Sequence, residues 1–139
     1  MTGESLRAWI ERHLDPLEVR GEGAPFRSDF DLSPGHAGAE PVALVPAAVL
    51  VALVEREAGL TVILTRRSDS LRRHTGQVAF PGGRCDPGET PWATALREAQ
   101  EELGLDPARV ALAGLSTPYR TGTGFEITPV VGFVVPPLD

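Results

Sequence analysis

The chain has a single cysteine, Cys85, which excludes a disulfide framework and a zinc site built from several thiolates. A lone thiol suits a reducing compartment. Lysine and asparagine are absent, so all thirteen cations are arginines; nineteen carboxylates outweigh them and give a formal charge of −6. That balance argues against a protein that neutralises nucleic-acid phosphates over a broad face. There is also no apolar run of the roughly 18 residues a membrane span requires. The longest, residues 42–54, is shorter and is interrupted by Pro46. The first residues carry Glu4, Arg7, Glu11 and Arg12 and no apolar signal core. These absences predict a soluble, cytoplasmic chain with neither a nucleic-acid nor a membrane partner.

What is present suffices for one folded domain. The chain has 139 residues, 42% of them apolar, which fits a single domain with a real core. Residues 4–14 read as a short amphipathic helix with Leu6, Trp9, Ile10 and Leu14 on one face, stopped by Pro16. Residues 16–41 are rich in Gly, Pro, Asp and Ser and read as a long connector. We therefore divide the chain into an N-terminal helix and connector, 1–41, and a main domain, 42–139.

Within the second part, residues 47–54 form a nearly continuous apolar run that suits a buried strand, and 60–65 a second strand paired with it in a hairpin. Residues 77–80 read as a third strand, ended by Pro81, Gly82 and Gly83. Residues 90–103 give the clearest helix, with Trp92, Leu96, Ala99 and Leu103 as its apolar stripe and Gly104 as its stop. Residues 110–115 and 127–135 read as strands around a glycine-containing loop, 119–124. The order implies an α+β domain: a mixed sheet with helices packed on it.

On an ideal helix, Glu98, Glu101 and Glu102 fall within an arc of about 100°, nearly opposite that stripe. Like charges so spaced repel by a few tenths of a kcal/mol per pair. A hard cation such as Mg²⁺, which takes oxygen ligands, would neutralise them, and Arg97 is placed four residues before Glu101 to hold one carboxylate. The simpler alternative is a solvated acidic face, and the helix alone does not separate the two.

The spacing adds a second line of argument. Gly83, Glu89, Arg97, Glu98, Ala99, Glu101, Glu102, Gly104 and Leu105 match the pattern G-x5-E-x7-R-E-U-x-E-E-x-G-U. A chance match is on the order of 10⁻⁶ at about 7% usage per fixed position. The segment resembles the Nudix box. The resemblance implies a Nudix fold, with a mixed sheet sandwiched between helices. It also implies hydrolysis of a nucleoside diphosphate linked to another moiety, with Mg²⁺ or Mn²⁺ as cofactor. By position, Glu98, Glu101 and Glu102 resemble the metal ligands. Glu98, Glu101, Arg97 and Glu89 are the catalytic candidates, with Arg97 and Glu89 in supporting roles. Glu89, Glu98, Glu126 and a residue elsewhere remain open as general base.

Residues 63–83 resemble the coenzyme A pyrophosphatase branch of that family, LLTxRSx3Rx3Gx3FPGG. Leu64, Thr65, Arg67, Ser68, Arg72, Gly76, Phe80, Pro81, Gly82 and Gly83 coincide, and Ile63 replaces the first Leu. The resemblance implies coenzyme A or an acyl derivative as small-molecule substrate, with 3′,5′-ADP and 4′-phosphopantetheine as products. Arg67, Arg72, Gly82 and Gly83 are then the substrate-binding candidates. Four arginines, at 66, 67, 72 and 73, offer forks suited to phosphate oxygens; two of them are expected to be surface charge. The alternatives are another diphosphate, such as ADP-ribose, NADH or a damaged nucleotide, or a non-catalytic nucleotide-binding module. Of the remaining residues, Tyr119 and Phe125 are candidates for a base or pantetheine pocket. His74 reads as an exposed structural residue, Cys85 as no nucleophile, and Trp92 as core.

Family members usually continue into a further C-terminal helix, whereas this sequence stops at Asp139. The expectation is a domain shortened at that end, with a sheet face covered by the N-terminal helix or left open to a homodimer.

Overall fold

A computed structural model describes residues 5–18, 26–28, 44–66 and 78–136. Two long strands, β2 (Val45–Arg56) and β9 (Phe125–Val134), run side by side in parallel, from Val45 opposite Phe125 to Val54 opposite Val134. Each is flanked on its outer edge by two shorter strands placed end to end. On β2 these are β3 (Gly59–Val62), which closes the expected hairpin, and β6 (Gly82–Arg84). On β9 they are β7 (Val110–Leu115) and β8 (Tyr119–Arg120), both antiparallel to it. A two-residue strand, β1 (Arg27–Ser28), extends the sheet by pairing in parallel with β8. Strands β4 (Thr65–Arg66) and β5 (Val78–Ala79) form a separate ribbon.

Pro129 lies inside a central strand, a position proline usually avoids because it cannot donate to the ladder. Its carbonyl accepts from Ser116 N (3.0 Å), so its missing N–H faces the same edge, where β7 ends and β8 begins. There the ladder is already interrupted, and no donor is lost.

Alternation along β2 and β9 divides the sheet into two faces. Ala48, Leu50, Ala52, Val54, Val130 and Val134 form one, packed with Ala95, Ala99, Leu105 and Leu115 into the core. Helix α2 (Pro91–Leu103) lies on this face. It starts where the sequence predicts: Thr90 caps Ala93 N at 3.2 Å, Pro91 fills the first turn, and Gly104 ends it in the left-handed region at φ 70°. The opposite face carries Phe133, 1% exposed, with the Arg7 guanidinium 4.5 Å above its ring. Arg7 belongs to α1 (Leu6–Arg12) and also pairs with Glu55 at 2.7 Å. Asp15, just beyond α1, exchanges two 2.8 Å hydrogen bonds with Leu115. The architecture is the mixed α+β sheet flanked by helices that the sequence predicts.

Several local expectations are corrected. The α1 stripe is not a buried face: Leu6 and Trp9 are 58% and 48% exposed, and Trp9 stacks on His13. The helix touches the sheet through Arg7 and the chain after its C-terminus, so its apolar side stays largely in solvent. The α2 stripe is displaced as well. Its fully buried residues are Thr94, Ala95 and Ala99, whereas Trp92, Leu96 and Leu103 are half-buried. Only small side chains fit where the helix lies closest to the sheet, so the packed seam turns toward Glu98.

Pro81 does not end the sheet, because Gly82 and Gly83 enter it as β6. Tyr119 and Arg120 are strand rather than loop, and β9 begins at Phe125 rather than 127. The connector contributes β1; residues 19–25 and 29–43 lie outside the described residues, as do Arg67, Ser68, Arg72, Arg73, His74 and Gly76. Among the described residues no helix follows α2 apart from the short 3₁₀ turn Pro107–Arg109, and none is long and apolar enough to cross a membrane.

Candidate active site

The site is assembled where β6, the loop after it and α2 meet. Glu89, on that loop, is saturated by hydrogen bonds. It accepts from Thr94 Oγ1 (2.6 Å), from Asp86 N (2.9 Å), and from Arg97 Nε and Nη2 (2.9 and 3.0 Å). The Arg97 contact is a two-pronged fork, the strongest geometry for this pair. These bonds, led by Arg97 and then Thr94, hold the Glu89 carboxyl down at about 2. Glu89 foremost, then Glu101 and Glu98, push Arg97 further above its ordinary value.

Arg97 does more than clamp the loop. Its Nη2 donates to the Arg84 carbonyl at 3.1 Å, tying α2 to β6. Its Nη1 donates to Glu98 Oε1 at 3.0 Å and to both Glu101 oxygens at 3.3 and 3.4 Å. Two carboxylates thus converge on one nitrogen. Glu98 is only 17% exposed and Glu101 56%. The carboxylates therefore do not all stand opposite the packed face, as the helical wheel suggests; Glu98 lies along its border, against β6.

Glycine at 82 and 83 is what lets β6 fit between β2 and α2. A Cβ on Gly82 would collide with the Ala48 carbonyl, and one on Gly83 would lie 2.6 Å from Glu98 Oε1. The space that Gly83 leaves open is the space beside the Glu98 carboxylate. Hard oxygen donors in this position suit a divalent cation. Glu102 follows on the same helix and is exposed. Among the described residues, however, no three His, Cys, Asp or Glu side chains are gathered closely enough to hold a metal ion. Arg97 occupies the point where Glu98 and Glu101 meet.

Two cavities adjoin these elements. The larger, about 770 Å³, lies over the sheet face opposite α2, beside Gly82, Gly83 and Arg84, with Leu64, Phe80, Phe125 and Ile127 in its apolar wall. The smaller, about 360 Å³, lies at the α2 N-terminus and includes Cys85, Glu89 and Glu126. Glu126 is paired with Arg120 Nε at 2.9 Å, and Arg120 in turn sits 3.6 Å over the Phe26 ring. Of the two aromatic candidates, Phe125 lines the larger cavity; Tyr119 lies in β8 and is 38% exposed. The substrate-binding candidates Arg67 and Arg72 lie outside the described residues, whereas Gly82 and Gly83 are at the site. Sequence reasoning missed Arg84, Asp86 and Thr94. Arg84 carried a usable signal, being the cation immediately before the acidic loop that leads to α2.

The sequence model of the NUDIX domain matches residues 44–136. The chain belongs to the Nudix family, whose members generally use divalent metal ions. It is similar to Nudix hydrolases that carry the name NudL. The one from Klebsiella aerogenes is 47% identical over 111 residues, covering 78% of this chain and 91% of that protein. The one from Yersinia enterocolitica is 44% identical over 110 residues, covering 78% and 56%. The chain thus spans little more than half the length of the longer curated relatives. Among solved structures, a Nudix hydrolase from M. smegmatis, RenU, superposes with a TM-score of 0.58 at 25% identity, covering 70% of this chain and 65% of that one. The Ap4A hydrolase of C. elegans superposes equally well, at 0.58 and 23% identity over 69% and 72%, a likeness of fold.

Proposed function

We propose that the chain hydrolyses a diphosphate linkage in a nucleoside diphosphate derivative, with Mg²⁺ or Mn²⁺ held by Glu98, Glu101 and Glu102. The observation that carries this reading is the position of Glu98, held by Arg97 beside Gly83, a glycine that also lines a cavity large enough for a small ligand. A cation on Glu98, Glu101 and Glu102 would take the place that Arg97 Nη1 holds between Glu98 and Glu101. When bound, the cation neutralises charge on the diphosphate and acidifies water.

The chain's own residues divide the remaining work. Glu89 is a structural anchor rather than a base, since a carboxylate held at about 2 has little affinity for a proton near neutrality. Glu126 is engaged with Arg120 at the smaller cavity. Glu98 is also paired with an arginine, but it stands beside Gly83, and that position favours it as the carboxylate to take a proton from water or to ligate the cation. Arg97 orients it and holds it against β6.

A finer reading is favoured by the motif at residues 63–83: coenzyme A or acyl-coenzyme A as substrate. Leu64, Phe80, Gly82 and Gly83 belong to that motif and line the larger cavity, whose apolar wall suits a pantetheine arm. Arg67 and Arg72 enter this reading from the sequence alone.

The test is product analysis with coenzyme A, ADP-ribose and NADH, in Mg²⁺ or Mn²⁺, with Glu101→Gln as control. Release of 3′,5′-ADP that the variant loses by at least about 100-fold supports the coenzyme A reading. Turnover of another diphosphate alone replaces it with the broader one. Folded protein that binds nucleotides and turns over none of them replaces both with a binding module.

A further inference from the structure

Arg84 is unusual among the charged residues of the site. It is the last residue of β6, one position after the glycine that faces Glu98, and its backbone is fixed from both sides. It pairs with Ala47 of β2, and its carbonyl accepts from Arg97 Nη2. Its side chain is treated differently. The guanidinium lies 5.4 Å from the centroid of the Phe125 ring and forms no ion pair with any carboxylate among the described residues. Arg84 and Phe125 both line the larger cavity.

An aromatic face steadies a guanidinium without using its N–H donors, which point around the ring plane and stay available for an anion. A carboxylate partner would have consumed them. The rest of the described wall is apolar side chain and backbone, so Arg84 supplies the cavity's charge there.

We propose that Arg84 is an anion-recognition residue of this cavity, braced by Phe125, and that it pairs with a phosphate group of the ligand. The assignment deepens the hydrolase reading, because an anion on Arg84 sits one residue from the Gly83–Glu98 contact. It names the ligand chemistry as a phosphorylated one and gives Phe125 the role of positioning residue.

The experiment is calorimetric titration of ADP, and separately of inorganic pyrophosphate, into the full chain with metal chelated, alongside steady-state kinetics on whichever diphosphate the wild type hydrolyses. Arg84→Ala is expected to weaken both titrations about 10-fold and to raise KM by a similar factor, with kcat within about threefold. Arg84→Lys should recover part of the loss. Phe125→Leu should cost about threefold with the same KM-dominated pattern, and affinity in the wild type should fall with ionic strength.

Unchanged titrations in Arg84→Ala, with its thermal midpoint intact, overturn the assignment and leave the hydrolase reading standing. So does a loss confined to kcat. Wild-type protein that binds ADP through Arg84 but hydrolyses nothing overturns the hydrolase reading and leaves this one. Absence of binding by the wild type overturns this assignment, and the hydrolase reading is then decided by turnover in the presence of metal.

Discussion

Glu89→Gln is the sharpest perturbation of the site's framework, because it keeps the shape of the side chain and removes only its charge. The carboxylate now accepts from Thr94, Asp86 and both prongs of Arg97. The amide has one acceptor oxygen, and its NH₂ must face a donor. Holding the carboxyl at about 2 instead of 4.5 corresponds at full strength to roughly 3 kcal/mol. The partners are 16% and 29% exposed, and solvent screening of that degree brings the figure to about 2 kcal/mol. For a chain of this size that is a fall in Tm of about 6 °C. The folded pKa is depressed, so the stabilisation is fully present above 4.5 and is lost as pH falls toward about 2. The gap between wild type and variant should therefore be constant from about pH 8 to pH 5 and close progressively below that. Thermal unfolding followed by circular dichroism across this range measures it. A gap under about 2 °C at neutral pH, or one that stays open to about pH 2.5, would refute the assignment of Glu89 as a charged anchor.

Two further perturbations address other parts of the same construction. Gly83→Ala places a methyl 2.6 Å from Glu98 Oε1, so Glu98 or β6 must shift. We expect turnover to drop by at least about 10-fold while the fold persists, read as kcat beside a circular dichroism spectrum. Unaltered kcat would show that Glu98 need not stand where it does. Thr90→Ala removes the α2 cap on Ala93 N. The expected cost is about 1 kcal/mol, seen as a Tm lower by about 3 °C at all pH values from 5 to 8; no change would mean that Pro91 alone defines the helix start.

The parts of the fold legible in the sequence were those with local causes. Helix α2 was marked by its own periodicity and by Gly104 as its stop, and the β2–β3 hairpin by adjacency. The acidic box was legible because its spacing is rigid. What escaped depended on partners far along the chain. Gly82 and Gly83 look like a turn until β2 is seen to need an edge partner thin enough to pass beneath Glu98. The α2 seam was placed from hydrophobicity, which found Ala99, whereas burial was decided by size, which selected Thr94 and Ala95 over Leu96 and Leu103. Tyr119 and Arg120 had no strand-like pattern, and β9 supplies it to them. Among the candidate site residues, Glu98, Glu101, Arg97 and Glu89 were named together by motif, and Arg97 joins the three carboxylates in the structure. Arg84 and Thr94 entered only when three dimensions brought them beside Phe125 and Glu89.

The long pairing of β2 with β9 also has a consequence for how the chain reaches this state. Partners such as Leu50 and Val130 lie roughly eighty residues apart, and non-local pairing of that kind is slow to form. As the chain emerges during synthesis, β2 is complete well before β9 exists. The apolar face of Ala48, Leu50, Ala52 and Val54 must wait with only β3, then β6 and α2, for cover. That interval is when the nascent chain is most exposed to aggregation. The site's carboxylates are made within it, on a helix whose sheet is still half built.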